Sequence, residues 1–173
     1  MSTNRPQAIL NVSAGADSIV MIKYPSIACT FFGRMLGMLC ESIPVKIYGI
    51  KLSYLLFGLL VSPSAALIYF YLKVAGHRYV LTAFGVQKRA AVGNRLVSEV
   101  SLSAVNQIAV DQTAGQKFYK ASDLVLLNSD GDAILRLEAV PQAEIFRQNL
   151  LETRDARTEV QAALETILAR ESA

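Results

Sequence analysis

The chain is short of charge, histidine and cysteine: only 18% of its 173 residues are charged, with one histidine, two cysteines and no tryptophan. Neither Cys29 nor Cys40 has a histidine or a second cysteine at metal-ligand spacing, so both read as small apolar residues. The net charge of +3 is mild, and no lysine or arginine cluster is interleaved with aromatics, which argues against nucleic-acid binding. Residues 1–15 are mixed and polar, lacking the basic start and apolar stretch of a cleaved secretory signal.

The sequence also lacks a catalytic constellation. His77, the one histidine, falls at the boundary between two compositional regimes and has no nucleophile or acid spaced to work with it. Asp130 and Asp132 fit a turn, and a calcium-type site needs more oxygen ligands at ordered spacing. Gly85, Gly93, Gly115 and Gly131 are isolated, so no phosphate-cradling loop is formed. No catalytic residue, metal ligand or cofactor-binding residue is expected.

What the chain has in excess is apolar residues, 53% of the total, and they concentrate at the front. Before His77 the charges are few: Arg5, Asp17, Lys23, Arg34, Glu41, Lys46, Lys51 and Lys73. From Arg78 onward they recur every few residues. The segment Leu52 to Leu72 is about 21 residues without a charge and reaches about 31 Å as a helix, the thickness of a bilayer's hydrocarbon core. Tyr69, Tyr71 and Lys73 resemble an interfacial belt at its end. Ile27 to Ile43 is a second, less uniform candidate, interrupted by Arg34 and Glu41. Residues 24–75 are therefore expected to form a transmembrane region after an N-terminal segment 1–23. A helical hairpin is the first reading, and a single span with an interfacial helix the alternative. Gly33 and Gly37, one turn apart, either make a helix–helix contact face or reflect the general frequency of glycine in membrane helices.

After Gly76 the apolar period changes from helical to two. Strands are expected at 77–82, 86–92, 95–102, 107–112, 123–128 and 133–138, with turns at Ala83-Phe84-Gly85, Gly93-Asn94 and Ser129-Asp130-Gly131-Asp132. A helix opens at Pro141 and carries Ala143, Phe146, Leu150 and Leu151 on one stripe. The stripe lapses through the polar run 152–159 and resumes with Val160, Leu164 and Ile167. These last residues belong either to a solvated extension, 153–173, or to a helix that finds a partner. The whole is expected to be a membrane-anchored α+β fold with a small barrel or sandwich over 76–152.

Four short matches carry a resemblance: Tyr24-Pro25-Ser26 before the first apolar segment, His77 to Thr82 after the last, Val100 to Val105 leading into Ile108, and Val140 to Glu144 opening the final helix. In this order they resemble the bacterial pleckstrin-homology-like family, in its membrane-anchored form. The resemblance implies a bent antiparallel barrel of about seven strands capped by a C-terminal helix. It also implies a bacterial inner-membrane location, and the count of Lys73, Arg78, Lys88 and Arg89 after the second segment against Lys46 and Lys51 in the connection slightly favours a cytoplasmic C-terminal domain. The sequence departs from the family pattern at residues 115–122, and the loop of residues 83–86 lacks the cations with which eukaryotic relatives hold phosphoinositides.

The expected function is a non-enzymatic membrane-anchored scaffold or accessory subunit whose domain and terminal helix dock onto a protein complex or onto further copies. The alternative is an anionic-lipid-binding module, for which Lys73, Arg78, Lys88, Arg89, Arg95, Lys117 and Lys120 are the candidate headgroup contacts. The bland reading of the same cations is a solvated basic face.

Overall fold

A computed structural model describes residues 18–171. In chain order it contains β1 (Ile19–Lys23), α1 (Phe31–Glu41), β2 (Lys46–Ile47), β3 (Ile50–Lys51), α2 (Leu59–Ala75), β4 (His77–Thr82), β5 (Gly85–Ala90), β6 (Leu96–Ser101), β7 (Gln107–Asp111), β8 (Ala121–Leu127), β9 (Ala133–Pro141) and α3 (Ala143–Glu171). Seven of the strands form two antiparallel sheets, β1-β4-β5-β6 and β7-β8-β9, while β2 and β3 pair separately. The turns form where the polar residues require them. Thr82 Oγ1 accepts from Gly85 N at 3.0 Å, and Asn128 Oδ1 accepts from Asp130 N and Asp132 N at 3.0 and 2.8 Å.

The expected membrane anchor is corrected by this structure: no helix among the described residues is long and apolar enough to cross a membrane. The physical reason is that neither apolar run folds as one α-helix. Ile27–Cys29 is a 3-10 turn that leaves α1 only 11 residues, about 16 Å. Tyr54–Gly58 is a π-helical segment that interrupts the helical run from Leu52, and the regular α-helix α2 after it has 17 residues and about 26 Å of rise. A span needs about 30 Å. The fold is therefore α+β, with two antiparallel sheets and a C-terminal helix. The paired sheets and helix are compatible with a pleckstrin-homology-like arrangement.

One strand lies outside the expected domain limits. β1 falls in the segment 1–23, yet it pairs with β4 in the register Ile22↔Val80 and Lys23↔Tyr79, so the whole α1–α2 region is an insertion between neighbouring strands. The remainder of the segment, residues 1–17, lies outside the described residues. The core between the sheets holds Leu81, Val86, Leu102, Leu124, Leu126 and Leu137, and α3 closes it with Phe146 and Leu150. Tyr79 fastens one sheet to the other: its hydroxyl donates to Glu138 O at 3.1 Å and accepts from Glu138 N at 3.0 Å.

A buried carboxylate organises the other end. Asp123 is 1% exposed and accepts four hydrogen bonds: from Gln116 Nε2 (2.5 Å), Ala139 N (2.8 Å), and Arg136 Nη2 and Nε (2.6 and 3.1 Å). Ala139 has a φ of 47°, a left-handed conformation at an irregularity in the β8–β9 register, and its N–H is turned onto the carboxylate. Gln116 in turn accepts from Thr113 N at 2.9 Å and so shapes the loop that presents Gly115 to α1. A Cβ on Gly37 would lie 2.1 Å from Gly115 O, and one on Gly115, whose φ is +86°, would lie 2.1 Å from Arg34 O. The insertion is further tied down by Ser26 N donating to Ala139 O at 2.8 Å, and within it Ser53 Oγ donates to Cys40 O at 2.5 Å.

Burial alone would push the Asp123 pKa up, but the donors from Ala139, Arg136 and Gln116 outweigh it and hold the value below the ordinary carboxylate range. A depressed folded pKa means that this stabilisation is fully present above about pH 4, where the unfolded aspartate is ionised, and is lost as pH falls through the folded value. Asp123→Ala leaves Ala139 N and Gln116 Nε2 buried without an acceptor and is expected to cost about 3 kcal/mol in urea unfolding. Its stability curve below pH 4 should be flatter than that of the wild type. Gly37→Ala is expected to cost about 1–3 kcal/mol through overpacking, with faster hydrogen exchange in α1 than in the β8 core.

Candidate functional site

The outer face of the β4–β5 pair brings together two of the cations named from the sequence. Arg78 and Arg89 are directly opposite across the two strands. The turn after β5 folds back on them: Ala91 N donates to Gly76 O at 2.9 Å, Ala90 N to Arg95 O at 2.8 Å, and Asn94 takes a left-handed φ of 53°. This places Asn94 Oδ1 between the guanidinium groups. It accepts from Arg78 Nη2 and, at 3.3 Å, from Arg89 Nη1. Arg89 Nε donates to Gln87 Oε1 at 2.7 Å, and Gln87 Nε2 donates to Glu99 Oε1 at 2.8 Å. Arg95 follows Asn94 and is exposed. Beside the two arginines is a cavity of about 300 Å³ lined also by Ile22, Val80 and Asn94.

The remaining cations are dispersed. Lys88 lies opposite Tyr79, so it points to the other side of the sheet from Arg89. There, burial and then the Lys88 charge lower the pKa of His77. Lys73 sits over the rings of Tyr69 (5.1 Å) and Tyr24 (5.7 Å) in a cleft of about 510 Å³ shared with Tyr119 and Pro141. Lys117 lines a different cavity with Met38 and Glu41, and Lys120, with a φ of 49°, uses its carbonyl to receive Gln142 N at 3.0 Å. Neither lines the cavity beside Arg78.

The expected helix contacts also resolve into separate places. Gly33 and Gly37 meet backbone of their own chain, at Ile27 and Gly115, and not a second helix: a Cβ there would stand 1.9 and 2.1 Å from the carbonyl oxygens. Val160 and Ile167 are exposed, at 58% and 52%, on α3, while the side chain of Leu164 lies outside the described ones. The polar run through which the apolar stripe lapses is where the helix is fastened. Arg154 Nη1 donates to Asn106 O at 3.1 Å. Arg157 Nη1 donates to Phe84 O at 2.8 Å with its guanidinium 4.8 Å from the Phe84 ring. Beyond Arg157 every described side chain through Arg170 is exposed.

The inserted layer carries an exposed apolar surface. On α2, Val61, Ala65, Ile68 and Leu72 form one half-buried stripe, and the rest of the described circumference from Ser62 to Ala75 is exposed. It includes Leu67 (71%), Phe70 (65%) and Tyr71, joined on α1 by Phe31 (77%), Phe32, Met35 and Met38. No group of three or more potential metal ligands occurs among the described residues. Tyr119 is pushed up to about 12, chiefly by burial, and burial likewise raises the thiols of Cys29 and Cys40, so all three hold their protons at neutral pH.

Sequence reasoning missed Asn94 and Gln87 as partners of the arginines, Asp123 as an organising group, and Arg154 and Arg157 as clasps. The Gly93-Asn94 turn signal located Asn94, but nothing local to the sequence tells which side chains a turn returns to. Arg157→Ala is expected to cost about 1 kcal/mol and to speed amide exchange from Glu152 onward, with little change in β8.

Comparison with known proteins finds no match: no family model, no curated protein and no solved structure matches the chain.

Proposed function

We propose that this protein is a non-enzymatic docking module, a scaffold or accessory subunit that works by binding through its apolar helical surfaces to a protein complex or to further copies. The observation that carries this reading is the uncovered apolar circumference of the inserted layer. Full burial of a large apolar side chain is worth about 1.5–3 kcal/mol, so Phe31, Leu67, Phe70 and their neighbours represent a large free energy that the described chain leaves unrealised. The exposed end of α3, with Val160 and Ile167, supplies a second apolar face of the kind that a partner helix covers. A pleckstrin-homology-like domain in this role is a rigid platform that holds both surfaces at fixed positions.

A second reading, attachment to an anionic lipid surface, is favoured by the opposed pair Arg78 and Arg89 on the face of the sheet. Each is worth roughly 1 kcal/mol beside an anionic surface.

Native purification in mild detergent tests the docking reading. The expected result is recovery as a complex or homo-oligomer, lost in the double variant Leu67→Glu, Phe70→Glu with the urea unfolding midpoint unchanged. A wild type recovered only as a monomer overturns it.

A further inference from the structure

We propose that Arg78, Arg89 and Asn94 form a binding subsite for a phosphate-monoester group. Directly opposed like charges on neighbouring strands are destabilising, and proteins ordinarily separate them or place a carboxylate between them. Here both guanidinium groups are drawn to one neutral oxygen, Asn94 Oδ1. Two groups within hydrogen-bond distance of the same atom lie within about 6 Å of each other. Neither arginine takes part in any ion pair among the described residues. Glu99 reaches Arg89 only through the Gln87 amide. Nor does water screen the whole pair, because Arg78 Nε is buried and lacks a hydrogen-bond partner.

The missing component is an anion, and the geometry narrows its class. Guanidinium groups match planar pairs of oxygens on carboxylate or phosphate. A phosphate monoester carries about two negative charges near neutral pH, which balances two arginines where a carboxylate balances one. The adjacent cavity of about 300 Å³ is larger than an isolated ion needs and is walled by Ile22 and Val80 on its apolar side, leaving room for what the phosphate is attached to. The subsite gives the anionic-surface reading a specific contact. It is independent of the apolar docking faces, so its failure leaves the docking reading standing.

The test uses the full chain and the substitutions Arg78→Gln, Arg89→Gln and Asn94→Asp. The last places a carboxylate where the structure has a neutral amide, at a φ that aspartate tolerates. Thermal unfolding is followed with inorganic phosphate against chloride at equal ionic strength. The wild type is expected to gain Tm with phosphate concentration, and each arginine variant to weaken phosphate about tenfold or more. In chloride alone, Asn94→Asp is expected to raise Tm, and to weaken the phosphate response, because half of the balancing charge is then supplied internally. A merely structural turn would lose stability instead. A second arm compares flotation with vesicles containing phosphatidic acid, a monoester, and vesicles of equal charge made with phosphatidylglycerol, a diester. Arginine-dependent preference for the first identifies a lipid as the source, and a phosphate response with no such preference identifies a soluble phosphate compound. A phosphate response equal in wild type and variants, or none together with no vesicle preference, overturns the proposal.

Discussion

A single buried carboxylate holds two structural systems together in this protein. Asp123 turns the Ala139 N–H inward, where it would otherwise be orphaned at a break in the β8–β9 ladder, and it fixes Gln116, which shapes the loop carrying Gly115. That loop is the seat of α1, because only glycine at positions 37 and 115 allows the two backbones to approach. Ala139 then receives Ser26 N through its own carbonyl, so the entry to the insertion and the seat of its first helix depend on one local arrangement. The insertion is consequently held as a layer against the second sheet, although its two ends belong to the first.

Such a layer is an unusual load for a small β domain. Its contacts with the domain include the close backbone approach at Gly37 and Gly115, the Ser26 N to Ala139 O bond and the edge-on rings of Tyr54 and Phe118, 5.2 Å apart, while many of its large apolar side chains stay exposed. The protein thus spends its polar and small residues on fixing the layer and leaves the apolar ones for something outside the described chain, which is the physical basis of the docking reading. α3 repeats the pattern. Phe146 and Leu150 close the core, Arg154 and Arg157 clasp the sheet ends, and the last turns run free.

The strands after Gly76 were legible because each alternates inward and outward positions, and their turns carry the residues that turns require. Leu124 and Leu126 on β8, and Leu135 and Leu137 on β9, are spaced two apart and buried, as the period demands. β1 was illegible for the opposite reason. Ile19 to Lys23 is a short apolar run without a turn partner nearby, and its neighbour in the sheet comes only after the whole insertion. The basic residues were visible as a set, but their division into an opposed pair at Arg78 and Arg89 and dispersed members at Lys73, Lys88, Lys117 and Lys120 depends on strand register and loop return.

The sequence by itself determined that a charge-poor front half precedes a strand-rich half, that Ser129 to Asp132 turns, and that a helix with Phe146 and Leu150 on one stripe opens near Pro141, which the structure makes the last residue of β9, two before α3. These are consequences of local chemistry and of periods shorter than the elements themselves. Only the tertiary structure decided what the apolar segments become. A count of uncharged residues gives the length that a regular helix would have, but the π segment at Tyr54–Gly58 and the 3-10 turn at Ile27–Cys29 interrupt the regular α-helix in those segments, and no helix among the described residues is long and apolar enough to cross a membrane. It also decided that an arginine pair shares one neutral oxygen, because side chains sixteen and five residues from Asn94 in the chain meet it only once the strands are paired and the turn has folded back.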